Sequence, residues 1–190
     1  MKPVYFILFL LSQNILADEY KQFCKAVLEK MKSNDLTFKY SSQEINSMKF
    51  CEYNGYNLLH QWAMYSKSMD WALFLINKVR ISPEEDAPHC NCVGRIPLMV
   101  AVSCLNINAV RIMLELNPNL VNRQDLSGWA ALHWATITKN QDIVELLIRF
   151  GADVKHRDIN GYKAKDYCES RKIKKLLRKT EKKIKKLHKK

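Results

Sequence analysis

Histidine and cysteine side chains can hold a metal ion, and three of them lie close together in this 190-residue sequence. His89-Cys90-x-Cys92 resembles a fragment of a metal site, but it lacks the second pair of ligands that zinc sites normally have. We therefore interpret it as a loop with free or disulfide-bonded cysteines and predict no bound metal. The sequence also contains no G-x-S-x-G, H-E-x-x-H, phosphate-loop or G-x-G-x-x-G motif. These observations predict a protein that is not an enzyme and uses no cofactor.

The glycines indicate how the chain is organised. Four of the five recur at nearly regular intervals, at Gly55, Gly94, Gly128 and Gly161, and the first interval is the longest. Glycine is favoured where the backbone needs a positive φ, so this spacing predicts the same turn in each of several copies. Such a period, which lies within the range of known structural repeats, predicts a solenoid, in which one small unit stacks on the next and presents a binding surface.

The residues around these glycines identify the repeating unit. In residues 125–157, Asp125 and Gly128 form an opening turn, AALHWA (130–135) begins a first helix, and Gly151 ends a second. This copy closely resembles the ankyrin repeat, whose first helix carries T-P-L-H-x-A. The resemblance implies an all-α fold, an ankyrin-repeat solenoid of helix pairs joined by β-hairpin-like loops. It also implies that the protein works by binding another protein.

Hydrophobic spacing supports the same assignment without the family. Ile143, Leu146, Leu147 and Phe150 recur at i, i+3, i+4 and i+7, which predicts an amphipathic helix. Two short helices and a turn bury too little apolar surface alone, so the copies must stack to share a core.

His60 and His133 occupy the same position of two copies, and Met99 replaces the histidine in the copy between them. We predict a structural role for both rings, with a ring nitrogen bonded to the backbone near the turn.

The copies differ in completeness, and this divides the chain. Helices are predicted over residues 18–33 and from Ser41 to Met48, ahead of the first repeat. The predicted order is a signal peptide (1–17), a divergent N-terminal helical cap (18–51), a degenerate ankyrin repeat with a long loop (52–90), two ankyrin repeats (91–124 and 125–157), a truncated C-terminal capping repeat (158–177) and a basic amphipathic tail (178–190).

The N-terminus has the layout of a secretory signal peptide. Lys2 precedes an apolar run over residues 4–11, and Ile15-Leu16-Ala17 is followed by an acidic pair. This pattern predicts cleavage after Ala17 and a secreted protein. A buried N-terminal helix and an uncleaved anchor are the alternatives. A signal peptide ahead of ankyrin repeats suggests an exported effector that acts on a host target, with delivery into a host cell as one interpretation.

Six cysteines fit an exported chain, because an even number permits disulfides. Fifteen pairings are possible. Cys24 with Cys51 is one that would tie the N-terminal segment to the first repeat, on position alone. The alternative is that most are free, small apolar residues, as in intracellular repeat proteins.

The net charge of +12 comes almost entirely from the C-terminus. Residues 171–190 contain twelve lysines and arginines and a single acid, Glu181. Leu177, Thr180, Ile184 and Leu187 predict that the last helix continues into the tail as a cationic amphipathic helix. The tail could be solvated, bind an anionic membrane or nucleic acid, or act as a nuclear-import signal. Its basic residues are Arg178, Lys179, Lys182, Lys183, Lys185, Lys186, Lys189 and Lys190.

The resemblance also implies where a protein partner would bind. Ankyrin repeats usually contact partners through the hairpin tips and the first-helix face. The residues that follow the repeat glycines are aromatic or arginine, the types common in binding hot spots. We expect a monomer whose candidate contacts are Tyr53, Tyr56, Arg95, Trp129, Ile137 and Tyr162. The alternative is that these side chains pack on adjacent hairpins and stiffen the stack.

Overall fold

The computed structural model describes residues 14–33, 35, 40–48, 51–53, 56–65, 68–86 and 94–187. Four parts of the sequence predictions lie outside the described residues. They are the beginning of the signal peptide (1–13), Gly55, the His89-Cys90-x-Cys92 motif, and the last three residues with Lys189 and Lys190.

Two helices precede the repeats, as predicted. Helix α1 spans Asn14–Lys32, and its buried residues Val27 and Met31 are spaced by four, which places them on one face. Helix α2 spans Ser42–Met48 and begins with a reciprocal cap. The Ser41 amide donates to Glu44 Oε2 at 2.8 Å, and the Glu44 amide donates to Ser41 Oγ at 3.3 Å.

A disulfide joins this N-terminal part to the first repeat. It links Cys24 on α1 to Cys51, whose Cα atoms are 5.4 Å apart. This is the pairing suggested by position in the sequence. Cys104 and Cys168 are free thiols in the described part of the chain.

Helix pairs then follow one another along the chain. The first repeat contains β1 (Glu52–Tyr53), β2 (Tyr56–Asn57), α3 (Leu58–Tyr65) and α4 (Met69–Leu73), which runs into a π-helical turn over Phe74–Lys78. The second contains α5 (Pro97–Ser103), α6 (Ile107–Leu116) and a 3-10 helix over Pro118–Asn122. The third contains α7 (Ala131–Ile137) and α8 (Gln141–Arg149), and the last contains α9 (Ala164–Tyr167) and α10 (Arg171–Leu187).

A short hairpin precedes the first helix in three of these repeats. Tyr53 pairs with Tyr56 in the first, Gln124 with Ala130 before α7, and Arg157 with Lys163 before α9, all antiparallel. The last two pairings are separated in sequence by the same interval as Gly128 and Gly161, so the hairpins follow the period that the glycines predicted.

Asparagine side chains cap the beginnings of the second helices α6 and α8, and a glycine follows the end of α8. Asn106 and Asn140 precede α6 and α8, and their side chains accept hydrogen bonds from the amides of Ala109 and Ile143. Gly151, with φ of 88°, follows α8 as predicted, and its amide donates to the Ile148 carbonyl at 3.1 Å.

The core is continuous from one end of the stack to the other. First helices pack in sequence, α3 on α5, α5 on α7 and α7 on α9, while α6 and α8 form a second layer. Trp62, Met99, Met113 and Leu147 are fully buried along this path. Each helix pair therefore depends on its neighbours for burial, as in other solenoids.

Helix α10 closes the C-terminal end, and it passes residue 177 without a break, as predicted. It packs on α8 and α9, with Ile173 and Leu177 buried and Leu176 and Ile184 partly buried against the core. Within the described residues, no helix has both the length and the apolar character needed to cross a membrane.

Candidate protein-binding surface

Two aspartates fix the hairpin loops of the third and last repeats. Asp125 Oδ1 accepts hydrogen bonds from the amides of Ser127 and Trp129, both at 2.9 Å. Asp158 Oδ1 does the same with the amides of Asn160 and Tyr162, also at 2.9 Å. Because each carboxylate replaces water for two loop amides, the loops have a defined shape.

The second oxygen of Asp158 connects two repeats. Asp158 Oδ2 accepts a hydrogen bond of 3.0 Å from Trp129 Nε1 and another from the Tyr167 hydroxyl. Burial alone would raise the pKa of the Asp158 carboxyl. The hydrogen bonds from Tyr167, the Tyr162 amide and Trp129 outweigh it, so the pKa lies below its ordinary value. The carboxylate is therefore held ionised at the junction between the hairpins.

Aromatic contacts surround this junction. The Trp129 ring centroid lies 4.7 Å from that of Tyr167 and 4.9 Å from that of Trp134. Trp134 in turn donates from Nε1 to Asp125 Oδ2 at 3.1 Å and lies under the Arg95 guanidinium, whose central carbon is 3.6 Å from the ring centroid. These tilted and edge-to-face ring contacts and the cation–π contact link neighbouring repeats.

Three of the four residues that follow the repeat glycines pack against other side chains, which was the alternative that the sequence left open. Tyr56, Arg95 and Trp129 are all partly buried, and the Tyr56 ring lies 5.5 Å from that of His60. Burial raises the pKa of the Tyr56 hydroxyl. For these three side chains the structure shows packing against neighbouring residues. Arg95 and Trp129 contact side chains of the following repeat, and their positions in the sequence alone do not reveal these contacts.

The other candidate residues differ from these three. Tyr162 is 55% exposed and Ile137, at the end of α7, is 44% exposed. Tyr53 lies in β1, and its side chain is outside the described part.

Two further residues, not among those candidates, are the most exposed large apolar side chains of the described chain. Leu126 is 75% exposed and Ile159 is 72% exposed, and each follows a loop aspartate. A Cβ on Gly94 would lie 2.9 Å from Leu126 Cγ, and one on Gly128 would lie 3.3 Å from Ile159 Cγ2. Each side chain is thus supported by the glycine of the preceding hairpin. The signal in the sequence is a Leu or Ile directly after the repeat aspartate, where a loop residue would ordinarily be polar.

The two histidines have the structural role that was predicted. His60 Nε2 lies 2.9 Å from the Arg95 carbonyl oxygen, and His133 Nε2 lies 3.4 Å from the Tyr162 carbonyl oxygen. Each ring therefore links its repeat to the next. Burial lowers the pKa of His60 to about 4 and also lowers the pKa of His133, so both rings are neutral near pH 7.

The basic helix α10 is held to the solenoid by its one acidic residue. Glu181 is buried and accepts hydrogen bonds from Lys163 Nζ at 2.7 Å and Lys165 Nζ at 2.9 Å. These two hydrogen bonds lower the pKa of Glu181 to about 2. Glu181 follows Ile173 and Leu177 at intervals of four, so it lies on the face of α10 that packs inward.

No group of three or more His, Cys, Asp or Glu side chains in the described residues could hold a metal ion. The features of the described surface are instead exposed apolar loop residues on a rigid base and a basic end helix.

Stacked hairpin–helix–helix units with their hairpins in a row define a repeat protein that binds partners through its surface. The family model for Ankyrin repeats (3 copies) matches residues 59–158, and the chain belongs to the ankyrin-repeat family. Ankyrin repeats are protein–protein interaction modules and are typically non-catalytic. The chain is therefore an interaction protein, as the resemblance implied.

Three curated proteins are similar to the repeat region. Ankyrin repeat and SAM domain-containing protein 6 from Mus musculus is 37% identical over 86 residues, which is 44% of this chain and 10% of that protein. The Rattus norvegicus protein of the same name matches to the same extent. The 2-5A-dependent ribonuclease of Homo sapiens is 39% identical over 64 residues, 34% of this chain and 9% of the ribonuclease. The chain thus spans about a tenth of the length of these relatives, and the activity in the ribonuclease's name belongs to that protein.

Proposed function

We propose that this protein is an exported adaptor that binds another protein through its hairpin tips and inner helix face and acts on a host target. The observation that carries the binding part is the exposure of Leu126 and Ile159 on adjacent hairpins. Apolar side chains exposed to this degree on a rigid base add nothing to the core, and they are the kind of surface that partners cover.

Tyr162 and Ile137 extend this surface. Tyr162 belongs to the same hairpin as Ile159, and Ile137 ends the first helix of the repeat that carries Leu126. We define the tip surface as Leu126, Ile159 and Tyr162, with Ile137 at its inner edge. The hydrogen bond between Trp129 and Asp158 links the two hairpins that carry Leu126, Ile159 and Tyr162.

The test is to capture partners with the purified protein and map the contacts by oxidative footprinting of the complex. Leu126, Ile159 and Tyr162 should become protected from oxidation, whereas Leu105 and Met69, exposed apolar residues outside the hairpins, should stay reactive. Protection of Leu105 and Met69 with an unprotected tip surface would contradict the proposal.

Export is supported by two separate features. The segment 1–17 has the pattern of a signal peptide, and the Cys24–Cys51 disulfide suits an oxidising compartment. The protein recovered from the medium should begin at Asp18, and mass spectrometry should find the Cys24–Cys51 bond. An intracellular protein that retains Met1 and carries a free Cys24 would contradict export.

A second candidate function uses helix α10 to bind an anionic partner, either a membrane or a nucleic acid. The observation that favours it is that nine lysines and arginines of Arg171–Leu187 are exposed, whereas the helix's acid is buried. Such binding should weaken steeply as salt is added, because it depends on Coulomb attraction.

A further inference from the structure

We infer that the outer face of α10 binds double-stranded DNA by its phosphate backbone, with the helix lying along the major groove. This inference deepens the second candidate function and does not rest on the protein adaptor. It follows from three features of the helix: where its apolar stripe packs, how its cations are spread, and which aromatic residues it lacks.

The apolar stripe of α10 is used by the fold. Ile173 and Leu177 are buried in the solenoid, and Leu176 and Ile184 are partly covered by it. The salt bridges from Glu181 to Lys163 and Lys165 fix the same face inward. An amphipathic helix binds a membrane by burying its apolar face among lipids, and of this stripe only Leu187, at the end of the helix, is exposed.

The exposed cations are spread around the helix and not confined to one line. Successive residues of an α-helix are about 100° apart, so Lys175 and Lys182 lie opposite the buried face. We call the line through Lys175 and Lys182 the crest of the helix. Arg178 and Lys185 lie about 60° to one side of the crest, and Lys172 and Lys183 lie about 80° to the other side. The full set of exposed cations is Arg171, Lys172, Lys175, Arg178, Lys179, Lys182, Lys183, Lys185 and Lys186.

This distribution fits a groove with a charged wall on each side. A flat anionic surface would contact the crest and leave both flanks in solvent. The major groove of B-form DNA is about 12 Å wide and accepts an α-helix, with phosphates along both edges. The deep, narrow major groove of duplex RNA does not accept side chains in this way.

The length and composition of the helix define the mode of binding. From Arg171 to Lys186 the helix is about 22 Å long, roughly two-thirds of a turn of DNA. Residues 171–187 contain no aromatic side chain that could stack on exposed bases. The contacts are therefore with phosphates and carry little sequence preference.

The test is fluorescence anisotropy of the full chain with a labelled DNA duplex of about 20 base pairs. Six or more phosphate contacts lower the affinity by about 10³–10⁵-fold between about 50 and 200 mM salt. Single-stranded DNA, duplex RNA, polyglutamate and vesicles of phosphatidylcholine and phosphatidylserine in equal amounts are the competitors. Duplex DNA should be bound most tightly, and equal or tighter binding of any competitor would overturn the inference.

Paired substitutions on the crest and on the flanks of α10 distinguish binding in a groove from binding to a flat surface. The crest pair is Lys175→Gln/Lys182→Gln, and the flank pairs are Arg178→Gln/Lys185→Gln and Lys172→Gln/Lys183→Gln. Each pair should lower the affinity for duplex DNA at least tenfold. Each should also reduce the slope of log affinity against log salt concentration by about 1.8 in magnitude, because two phosphate contacts are lost.

The control pair removes the same charge from the repeats, where Arg111 and Arg149 are exposed on α6 and α8. Arg111→Gln/Arg149→Gln should leave the affinity within about twofold, the scatter expected for charges outside the contact. An effect of the crest pair alone, or an equal effect of the control pair, would contradict binding in a groove. Loss of DNA binding with unchanged capture of the protein partner leaves the adaptor function intact.

Discussion

Trp129 donates a hydrogen bond of 3.0 Å from its indole Nε1 to Asp158 Oδ2, and so joins the hairpin of the third repeat to that of the last. The same carboxylate accepts from the Tyr167 hydroxyl and from the amides of Asn160 and Tyr162. One side chain thus fixes the loop that carries Ile159 and Tyr162. Trp129, one of the candidate contacts in the sequence, is thereby tied to the hairpin that carries most of the proposed tip surface.

Replacing Asp158 should therefore make the C-terminal repeats less stable. Asp158→Ala leaves the Trp129 and Tyr167 donors without their acceptor, and we expect the free energy of unfolding to fall by about 3 kcal/mol. Urea denaturation followed by circular dichroism measures the change. Asp153→Ala is the control, because the exposed Asp153 side chain accepts one loop amide, from Lys155, and should cost less than about 1 kcal/mol. Equal losses for the two variants would contradict the bridging role.

Two repeat glycines should differ in their tolerance of alanine. Gly128 and Gly161 both have positive φ, of 74° and 80°. A Cβ on Gly128 would lie 3.0 Å from the Ile159 amide nitrogen, whereas one on Gly161 has no atom within 4 Å.

Gly161→Ala should thus cost only the backbone strain, about 1–2 kcal/mol. Gly128→Ala adds a contact with backbone that cannot move freely and should cost at least about 1 kcal/mol more. Thermal melts of both variants measure the difference. If Gly161→Ala were as unstable as Gly128→Ala, close packing of the hairpins would not explain the cost of alanine at Gly128.

The stability of the C-terminal end should depend on pH through Glu181. Its pKa is about 2 in the folded protein, against an ordinary value of 4.5, because Lys163 and Lys165 donate to it. Its contribution is therefore complete above about pH 5 and is lost as pH falls toward 2, and it amounts to about 3 kcal/mol.

In Glu181→Gln, the free energy of unfolding should fall less steeply between about pH 5 and pH 2 than in the wild type. It should be lower near pH 7 by about 2–3 kcal/mol. The measurement is urea denaturation at several pH values between about 2 and 7. Glu115→Gln, on an exposed position of α6, serves as the control and should keep the wild-type pH dependence. If Glu181→Gln lost stability below about pH 5 as the wild type does, the ion pairs of Glu181 with Lys163 and Lys165 would not be what holds α10.

The disulfide should stabilise the N-terminal cap. Cys24 and Cys51 are 27 residues apart in sequence, and closing a loop of this length stabilises a fold by about 3–4 kcal/mol in the chain-entropy model. Dithiothreitol should lower the melting temperature of the wild-type protein and leave that of Cys24→Ser/Cys51→Ser unchanged. Cys104→Ser, which alters a free thiol, should respond to the reductant as the wild type does. A reductant effect that persists in the double variant would assign it to another pair.

The sequence predicted the repeats well because their signals are local. The spacing of Ile143, Leu146, Leu147 and Phe150 gave α8, and Gly151 gave its end. The continuation of the last helix past Leu177 was equally legible from its apolar spacing. These features depend on residues within a few turns of one another.

What the sequence could not give depends on contacts between repeats. Trp129 follows a hairpin glycine, which places it near a tip, but its burial depends on Asp158 and Tyr167 in the next repeat. Glu181 is conspicuous as the lone acid of the tail, yet its partners Lys163 and Lys165 were set by how α10 folds back. Leu126 and Ile159 could not be ranked above the other tip residues before their exposure was known.

The central claim is that the tip surface binds a protein partner, and the dissociation constant of the captured partner tests it most directly. Calorimetry would compare the wild type with Leu126→Ser/Ile159→Ser/Tyr162→Ser. The controls are Met69→Ser/Leu105→Ser and Lys175→Gln/Lys182→Gln, all at exposed positions.

We expect the tip variant to keep the wild-type melting temperature and to bind at least about 100-fold more weakly, as loss of hot-spot residues implies. Both controls should bind as the wild type does. A folded tip variant that binds its partner with wild-type affinity would contradict the account.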